Sequence, residues 1–193
     1  MKVVYKIISV FLSIAFVIGL GACENKTKEK NIAIVFSEKL LNVAEVSPED
    51  WKTQLQEFGV GQYDRLYVSG NGKTVTMEIT EAQKEYWLSV VQQKLELLKN
   101  DIQKVDDSYN IIYSGDYSAL EFYYNLELPA KEAIYYVIYS EIYCVFGQLL
   151  NEEDPNNWVV TFSIYNSDTG KLVTSGDSGT GLSYETSDWE ASE

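Results

Sequence analysis

Apolar and polar residues alternate along the chain in a way that predicts three β-hairpins. Each hairpin consists of two short runs in which apolar side chains recur at every second position, which is typical of strands with one buried and one solvated face. Residues that favour tight turns join the two runs of each pair. The turn sequences are Ser69-Gly70-Asn71-Gly72, Ser114-Gly115-Asp116 and Asn166-Ser167-Asp168-Thr169-Gly170. The apolar run from Asn31 to Ser37 is predicted to form a further strand.

Helical periodicity lies between the hairpins. The sequence Thr80-Glu81-Ala82-Gln83 is typical of a capping box, and apolar residues then recur at helical spacing to Gln103. The segment from Ala130 to Leu150 has strand-like composition, but its length and the Pro129 before it favour a largely buried helix. Polar residues within it support the helix: Lys131, Glu132, Ser140, Glu141 and Gln148. A shorter helix is predicted to begin at Ser47-Pro48.

These elements predict an α+β fold, with antiparallel β-hairpins forming a sheet and the two long helices packed on one face. Antiparallel pairing follows from the short turns, and packing on one face follows from the alternation along the strands. We expect a single domain over residues 31–182. The remaining residues, 183–193, are acidic and weakly patterned, so we expect a frayed C-terminal tail.

The N-terminal residues have the pattern of a secretory leader. Lys2 and Lys6 precede an apolar run from Ile7 to Leu20, which is short for a membrane span and typical of a signal peptide. The junction Leu20-Gly21-Ala22-Cys23 resembles the lipobox of bacterial lipoproteins. That resemblance implies that the Cys23 sulfur receives a diacylglycerol and that cleavage follows between Ala22 and Cys23. Residues 1–22 are then the signal peptide, and residues 23–30 are a flexible tether that anchors the domain to the outer face of the cell membrane.

The net charge of the chain favours some classes of binding partner over others. The chain has 29 acidic and 15 basic residues, a net charge of −14, and the leader contributes lysines but no acids. A field of this sign disfavours nucleic acid and attracts cationic peptides or basic envelope components. It is equally typical of a protein that stays soluble at a crowded surface.

The inventory of reactive residues excludes several kinds of chemistry. The chain has no histidine, which removes the Ser-His and Cys-His catalytic systems and imidazole metal sites. Of the two cysteines, Cys23 is the predicted lipid acceptor, and Cys144 lies in an apolar stretch typical of a core position. We expect no cofactor and no enzymatic activity.

Two acidic clusters are weak site candidates. The segment Asn151 to Asn157 concentrates oxygen ligands, so Glu152, Glu153 and Asp154 are candidate Ca²⁺ ligands, although their spacing matches no EF-hand. Asp106-Asp107 is a candidate member of the carboxylate pair that a glycosidase needs.

The number of tyrosines indicates that some of them lie on the protein surface. Fifteen tyrosines are too many for one core, so we expect some to form exposed aromatic surface beside carboxylates, an arrangement that suits sugars or cationic peptides. Simple strand propensity is the alternative explanation. The tyrosines expected to divide between core and surface are Tyr113, Tyr117, Tyr123, Tyr136, Tyr139 and Tyr165.

The mature chain is similar to a group of small lipoproteins of clostridial and related Gram-positive bacteria. The similarity rests on the lipobox, on Asp50-Trp51-Lys52, on the strand Gly72 to Thr76 and on the turn Ser167 to Lys171. It implies location and architecture but no activity. We therefore expect a lipid-anchored, non-enzymatic binding module, with a hydrolase of wall glycans or a purely structural envelope module as the alternatives.

Overall fold

A computed structural model of the protein describes residues 31–193. The predicted signal peptide, Cys23 and the tether lie outside the described residues. The strands are β1 (Ile32–Phe36), β2 (Arg65–Val68), β3 (Val75–Ile79), β4 (Asn110–Tyr113), β5 (Ala119–Tyr124), β6 (Thr161–Asn166) and β7 (Leu172–Asp177). The helices are α1 (Glu38–Val43), α2 (Pro48–Phe58), α3 (Glu81–Gln103), α4 (Ala130–Leu150) and α5 (Thr186–Ser192).

The α+β class and the predicted helix starts are confirmed. At the start of α3, the Thr80 hydroxyl accepts the Gln83 backbone N–H and the Gln83 side chain accepts the Thr80 N–H, which completes the capping box. The Ser47 hydroxyl accepts the Asp50 N–H at the start of α2. These bonds satisfy N–H groups that the first helical turn leaves unpaired.

The strands form two sheets, where the sequence predicted one. The first sheet, sheet A, has the order β1-β3-β2 and is antiparallel throughout. The second, sheet B, has the order β4-β5-β6-β7 and contains a parallel pair, β5 with β6. The parallel pairing results from the connection between β5 and β6. Helix α4 carries the chain back to the end of the sheet where β5 began, so β6 runs in the same direction as β5.

Helix α4 lies at the centre of the core and contacts both sheets. Phe146 packs edge-to-face on Phe36 of β1, with ring centroids 5.1 Å apart. On the side of sheet B, the Gln148 amide donates to the backbone carbonyls of Tyr117 and Val159 at 2.7 and 2.9 Å. Among the described residues α4 alone has the length and apolar composition of a membrane span, and 67% of that window is buried inside the protein. Such burial is typical of a core helix.

The C-terminal segment differs from the frayed tail that was predicted. Residues 186–192 form α5, and Trp189 is only 3% exposed, with its ring 5.4 Å from that of Tyr124. The Trp189 indole and the hydrogen bonds that Asn166 and Thr169 donate to Ser192 anchor the helix, and partners this far away in the chain leave no periodic pattern in the acidic stretch. The compact unit therefore extends over Asn31–Glu193 and does not end at residue 182.

Candidate functional site

The predicted lipidation residue Cys23 and the predicted cleavage site at Ala22 lie outside the described residues. The other sequence candidates can be placed. Glu152, Glu153 and Asp154 are exposed in the loop after α4, and within residues 31–193 no group of three potential metal ligands is brought together. Glu152 pairs instead with Lys84 at 3.4 Å, and the Asp154 carboxylate accepts the Asn156 backbone N–H at 2.8 Å. Glu152 and Asp154 therefore stabilise the loop through these contacts.

The acidic pair between α3 and β4 is also structural. The Asp106 carboxylate accepts the backbone N–H and the hydroxyl of Ser108 at 2.8 and 2.7 Å, and these bonds lower its pKa. Asp107 is exposed on the same turn. A glycosidase acid needs a raised pKa, which is the opposite of what Ser108 does to Asp106.

Cys144 is confirmed as a core residue. Its side chain is fully buried in α4, and burial raises the pKa of the thiol. A thiol in this state is not a nucleophile at neutral pH.

Of the six tyrosines that were expected to divide between core and surface, two are buried and four are half-buried, and two of the half-buried tyrosines form a pair. Tyr117 and Tyr136 are buried, at 3% and 8% exposure. Tyr123 of β5 and Tyr165 of β6 lie directly opposite each other in the parallel pairing. Their rings stack with centroids 4.8 Å apart and planes inclined by 12°. That separation equals the spacing of neighbouring strands, so the rings stand side by side across the sheet.

This tyrosine pair lies on the face of sheet B that points away from the core, which we call the open face. The opposite face carries the buried residues Ile111, Leu120, Phe122 and Ile164. At the two edges of the open face, Ile112 and Leu172 are 42% and 51% exposed. The pairing registers arrange the open face in three rows: Asn110, Tyr123, Tyr165 and Leu172; Ile112, Glu121, Ser163 and Ser175; Ala119, Thr161 and Asp177.

The charge of the open face has one sign. The four strands contain Glu121 and Asp177 but no lysine or arginine. The Tyr123 hydroxyl donates to Glu121 Oε2 at 3.0 Å, and burial together with this bond raises the pKa of Tyr123. Glu121 Oε1 has no hydrogen-bond donor among residues 31–193. A carboxylate with a free oxygen beside a stacked aromatic pair is a binding arrangement for a cation.

A buried carboxyl group in α4 is a second feature, which sequence reasoning missed. Glu141 is 8% exposed, and burial raises its pKa to about 7 while the charge of Lys39 partly opposes the shift. The Lys39 ammonium is held elsewhere: it donates to the Trp158 carbonyl at 2.9 Å and lies 3.6 Å from the centre of the Trp158 ring. Glu141 is therefore a proton-binding group near neutral pH. The signal in the sequence was an acidic residue inside an otherwise apolar run, which was used only as support for a helix.

Comparison with protein-family models, with curated proteins and with solved structures finds no match to this chain.

Proposed function

We propose that the protein is a lipid-anchored extracytoplasmic lipoprotein that binds a basic peptide segment of an envelope component through the open face of sheet B, without catalysing a reaction. The observation that carries the proposal is the Tyr123–Tyr165 pair beside Glu121 on a face whose strands have no basic residue. The net charge of −14 supports the sign of the ligand. An acidic field speeds the approach of a cationic partner and disfavours anionic lipid or nucleic acid.

The anchoring part of the proposal rests on the leader and on Leu20-Gly21-Ala22-Cys23. The fold is compatible with it. The chain enters the described domain at Asn31, beside the pairing of Ile32 with Ile79, which directly precedes α3. Helix α3 has 23 residues, so its other end lies about 35 Å away at ~1.5 Å per residue. The row that contains the tyrosine pair begins at Asn110, shortly after that far end.

A peptide ligand fits the open face better than a sugar does. Sugar recognition uses a freely accessible ring face as a platform, whereas Tyr123 and Tyr165 each cover one face of the other. The rings present their hydroxyl groups and their outer faces beside the Glu121 carboxylate, which suits the charged ends of lysine or arginine side chains.

Binding across the face is also favoured over addition of a strand at the edge. At β4, the backbone N–H of Ile111 donates to the Asn110 side chain. At β7, the Thr174 hydroxyl donates to the carbonyl of Ser183, and a Cβ built on Gly176 would clash with the Gly181 carbonyl. Because both edges of sheet B have local partners, they are poor templates for another strand.

Titration of the full chain with a basic peptide at two salt concentrations tests the proposal. We expect binding at low ionic strength that weakens as salt increases, since exposed charges are screened. Glu121→Gln should weaken binding about fivefold, the equivalent of ~1 kcal/mol for one exposed charged contact. Glu57→Gln is the matched control, because Glu57 is an exposed acid on α2 and its loss changes the net charge equally. Absence of binding at low salt would leave a structural envelope module as the better account, and equal effects of the two variants would reduce the interaction to non-specific charge.

A further inference from the structure

In sheet A, an arginine, a tyrosine and a carboxylate are in contact, whereas the open face of sheet B has tyrosines and a carboxylate but no arginine. On the outward side of sheet A, the Tyr67 hydroxyl and the Arg65 guanidinium both donate to Glu78 Oε1, each at 3.3 Å. The same guanidinium lies 5.2 Å from the centre of the Tyr67 ring. Arg65 therefore contacts a carboxylate and a tyrosine ring at once. It is also the only arginine in the chain.

The position of Arg65 is defined by two relationships. Arg65 lies directly opposite the carboxylate-bearing residue Glu78 in the strand pairing, and it precedes Tyr67 by two residues on the same strand face. In sheet B, where the corresponding strands are parallel and not antiparallel, Ser163 also lies opposite Glu121 and also precedes Tyr165 by two residues. The tyrosine that donates to the carboxylate differs, because Tyr123 is on the strand of Glu121 and stacks on Tyr165. Sheet B thus has the carboxylate and the rings, and a small serine at the position of the arginine.

We infer that the cation recognised by the open face is the guanidinium of an arginine side chain in a basic peptide, seated over Ser163 between the Glu121 carboxylate and the tyrosine pair. This inference rests on the proposed function and specifies its ligand. The guanidinium donates to the free Oε1 of Glu121 and stacks on the tyrosine rings. The guanidinium of the ligand thus makes the contacts in sheet B that the guanidinium of Arg65 makes in sheet A.

Arginine is favoured over lysine by the exposure of the site. A guanidinium is planar and weakly hydrated, so it donates to a carboxylate along its edge while its face covers a ring. An ammonium is compact and strongly hydrated and does not make both contacts well in water. The contacts of Lys94, Lys39 and Arg65 agree with this difference. Lys94 contacts the Phe58 ring where the lysine is only 7% exposed, and Lys39 lies over the fully buried Trp158 ring. The solvent-exposed tyrosine contact is made by Arg65.

Two peptides of equal length and charge, one alternating glycine with arginine and the other glycine with lysine, test the inference on the full chain. We expect the arginine peptide to bind about fivefold more tightly, because only arginine makes the ring contact and the carboxylate contact together. If both peptides bind with equal affinity, the arginine inference is wrong and the proposed function stands. If neither binds at low ionic strength, both are wrong.

A variant that fills the site from within the chain provides the second arm. Ser163→Arg places a guanidinium opposite Glu121, as Arg65 lies opposite Glu78, and should reduce binding of the arginine peptide at least about tenfold through occupation of the site and charge repulsion. Gln56→Arg on the exposed face of α2 adds the same charge away from sheet B and is the matched control, with an expected change below about twofold. Equal effects of the two variants would contradict a site at Ser163. The comparison of the two peptides on the wild-type chain needs no variant, so it stands even if Ser163→Arg folds poorly.

Discussion

Gly147 of α4 lies directly against the ring of Tyr117: a Cβ atom at Gly147 would be 2.5 Å from Tyr117 Cδ2. Tyr117 is 3% exposed and has a positive φ of 62°, and its carbonyl accepts the Gln148 amide. The close approach of ring and helix backbone thus fixes the β4–β5 turn on the central helix. A glycine inside a helix is usually a cost relative to alanine, so its presence here requires such a contact.

Gly147→Ala should therefore destabilise the protein, although alanine is the better helix former. Overpacking costs ~1–3 kcal/mol and exceeds the gain of up to ~1 kcal/mol in helix propensity, so we expect the free energy of unfolding to fall by about 1–2 kcal/mol. Urea denaturation measures it. Gly115→Ala, at a position with open space around it, is the control and should change stability by less than ~0.5 kcal/mol. A more stable Gly147→Ala protein would show that Tyr117 does not press on the helix.

Glu141 should make stability depend on pH. Its pKa in the folded protein is about 7, above the ordinary value of 4.5, so the unfolded chain releases the proton more readily. The contribution to stability is complete below about pH 4.5 and is lost as pH rises through about 7. After an allowance for partial solvation, we expect a loss of about 2 kcal/mol between pH 5 and pH 8.

Glu141→Gln removes the titrating group and should flatten this part of the profile. The measurement is urea denaturation at the two pH values, with Glu132→Gln as the control, since Glu132 is exposed on the first turn of the same helix. An unchanged difference between pH 5 and pH 8 in Glu141→Gln would show that another group is responsible.

The C-terminal helix should contribute to global stability. Trp189→Ala removes a buried indole that packs on Tyr124, and such truncations cost about 3 kcal/mol. Glu190→Ala alters an exposed neighbour on the same helix and should have an effect below ~0.5 kcal/mol. Thermal denaturation of the two variants decides between a packed helix and the frayed tail that the sequence predicted. Equal midpoints for both variants would favour the tail.

Lipidation at Cys23 predicts a defined change in mass. Cys23→Ala should lose the acyl chains and keep residues 1–22, because cleavage follows lipidation, while the thermal midpoint of the domain stays the same. Cys144→Ala is the control: it should keep the lipid and the processing but lower the midpoint, since Cys144 is buried in the core. Intact mass and membrane fractionation measure both. Wild-type protein without added lipid mass would contradict the anchor.

Local chemistry made the individual elements predictable. The capping box at Thr80 and Gln83 depends on residues three apart, and the hairpin turns depend on glycine together with serine, asparagine or aspartate within a few positions, so each can be recognised in a short segment. The helix over Ala130–Leu150 was predictable from the length of the apolar segment and from Pro129 before it. The partners of its polar residues were not predictable, because the Gln148 amide is buried and donates to carbonyls from distant segments.

The candidate site was predictable only in its composition. The excess of tyrosine beside acids indicated an aromatic surface, but the stacking of Tyr123 on Tyr165 depends on the pairing of β5 with β6. That pairing is set by the crossover through α4 and by a register that no local pattern specifies. The same long-range pairing places Ser163 opposite Glu121.

The central claim is that the open face of sheet B binds a basic peptide. Amide NMR of the isotopically labelled chain during titration with the glycine–arginine peptide tests it most directly. We expect concentration-dependent shifts at Glu121, Tyr123, Ser163 and Tyr165, with little change at Asp106 or in the 151–157 loop. Shifts confined to that loop or to the turn at Asp106, or an unchanged spectrum at low ionic strength, would contradict the claim.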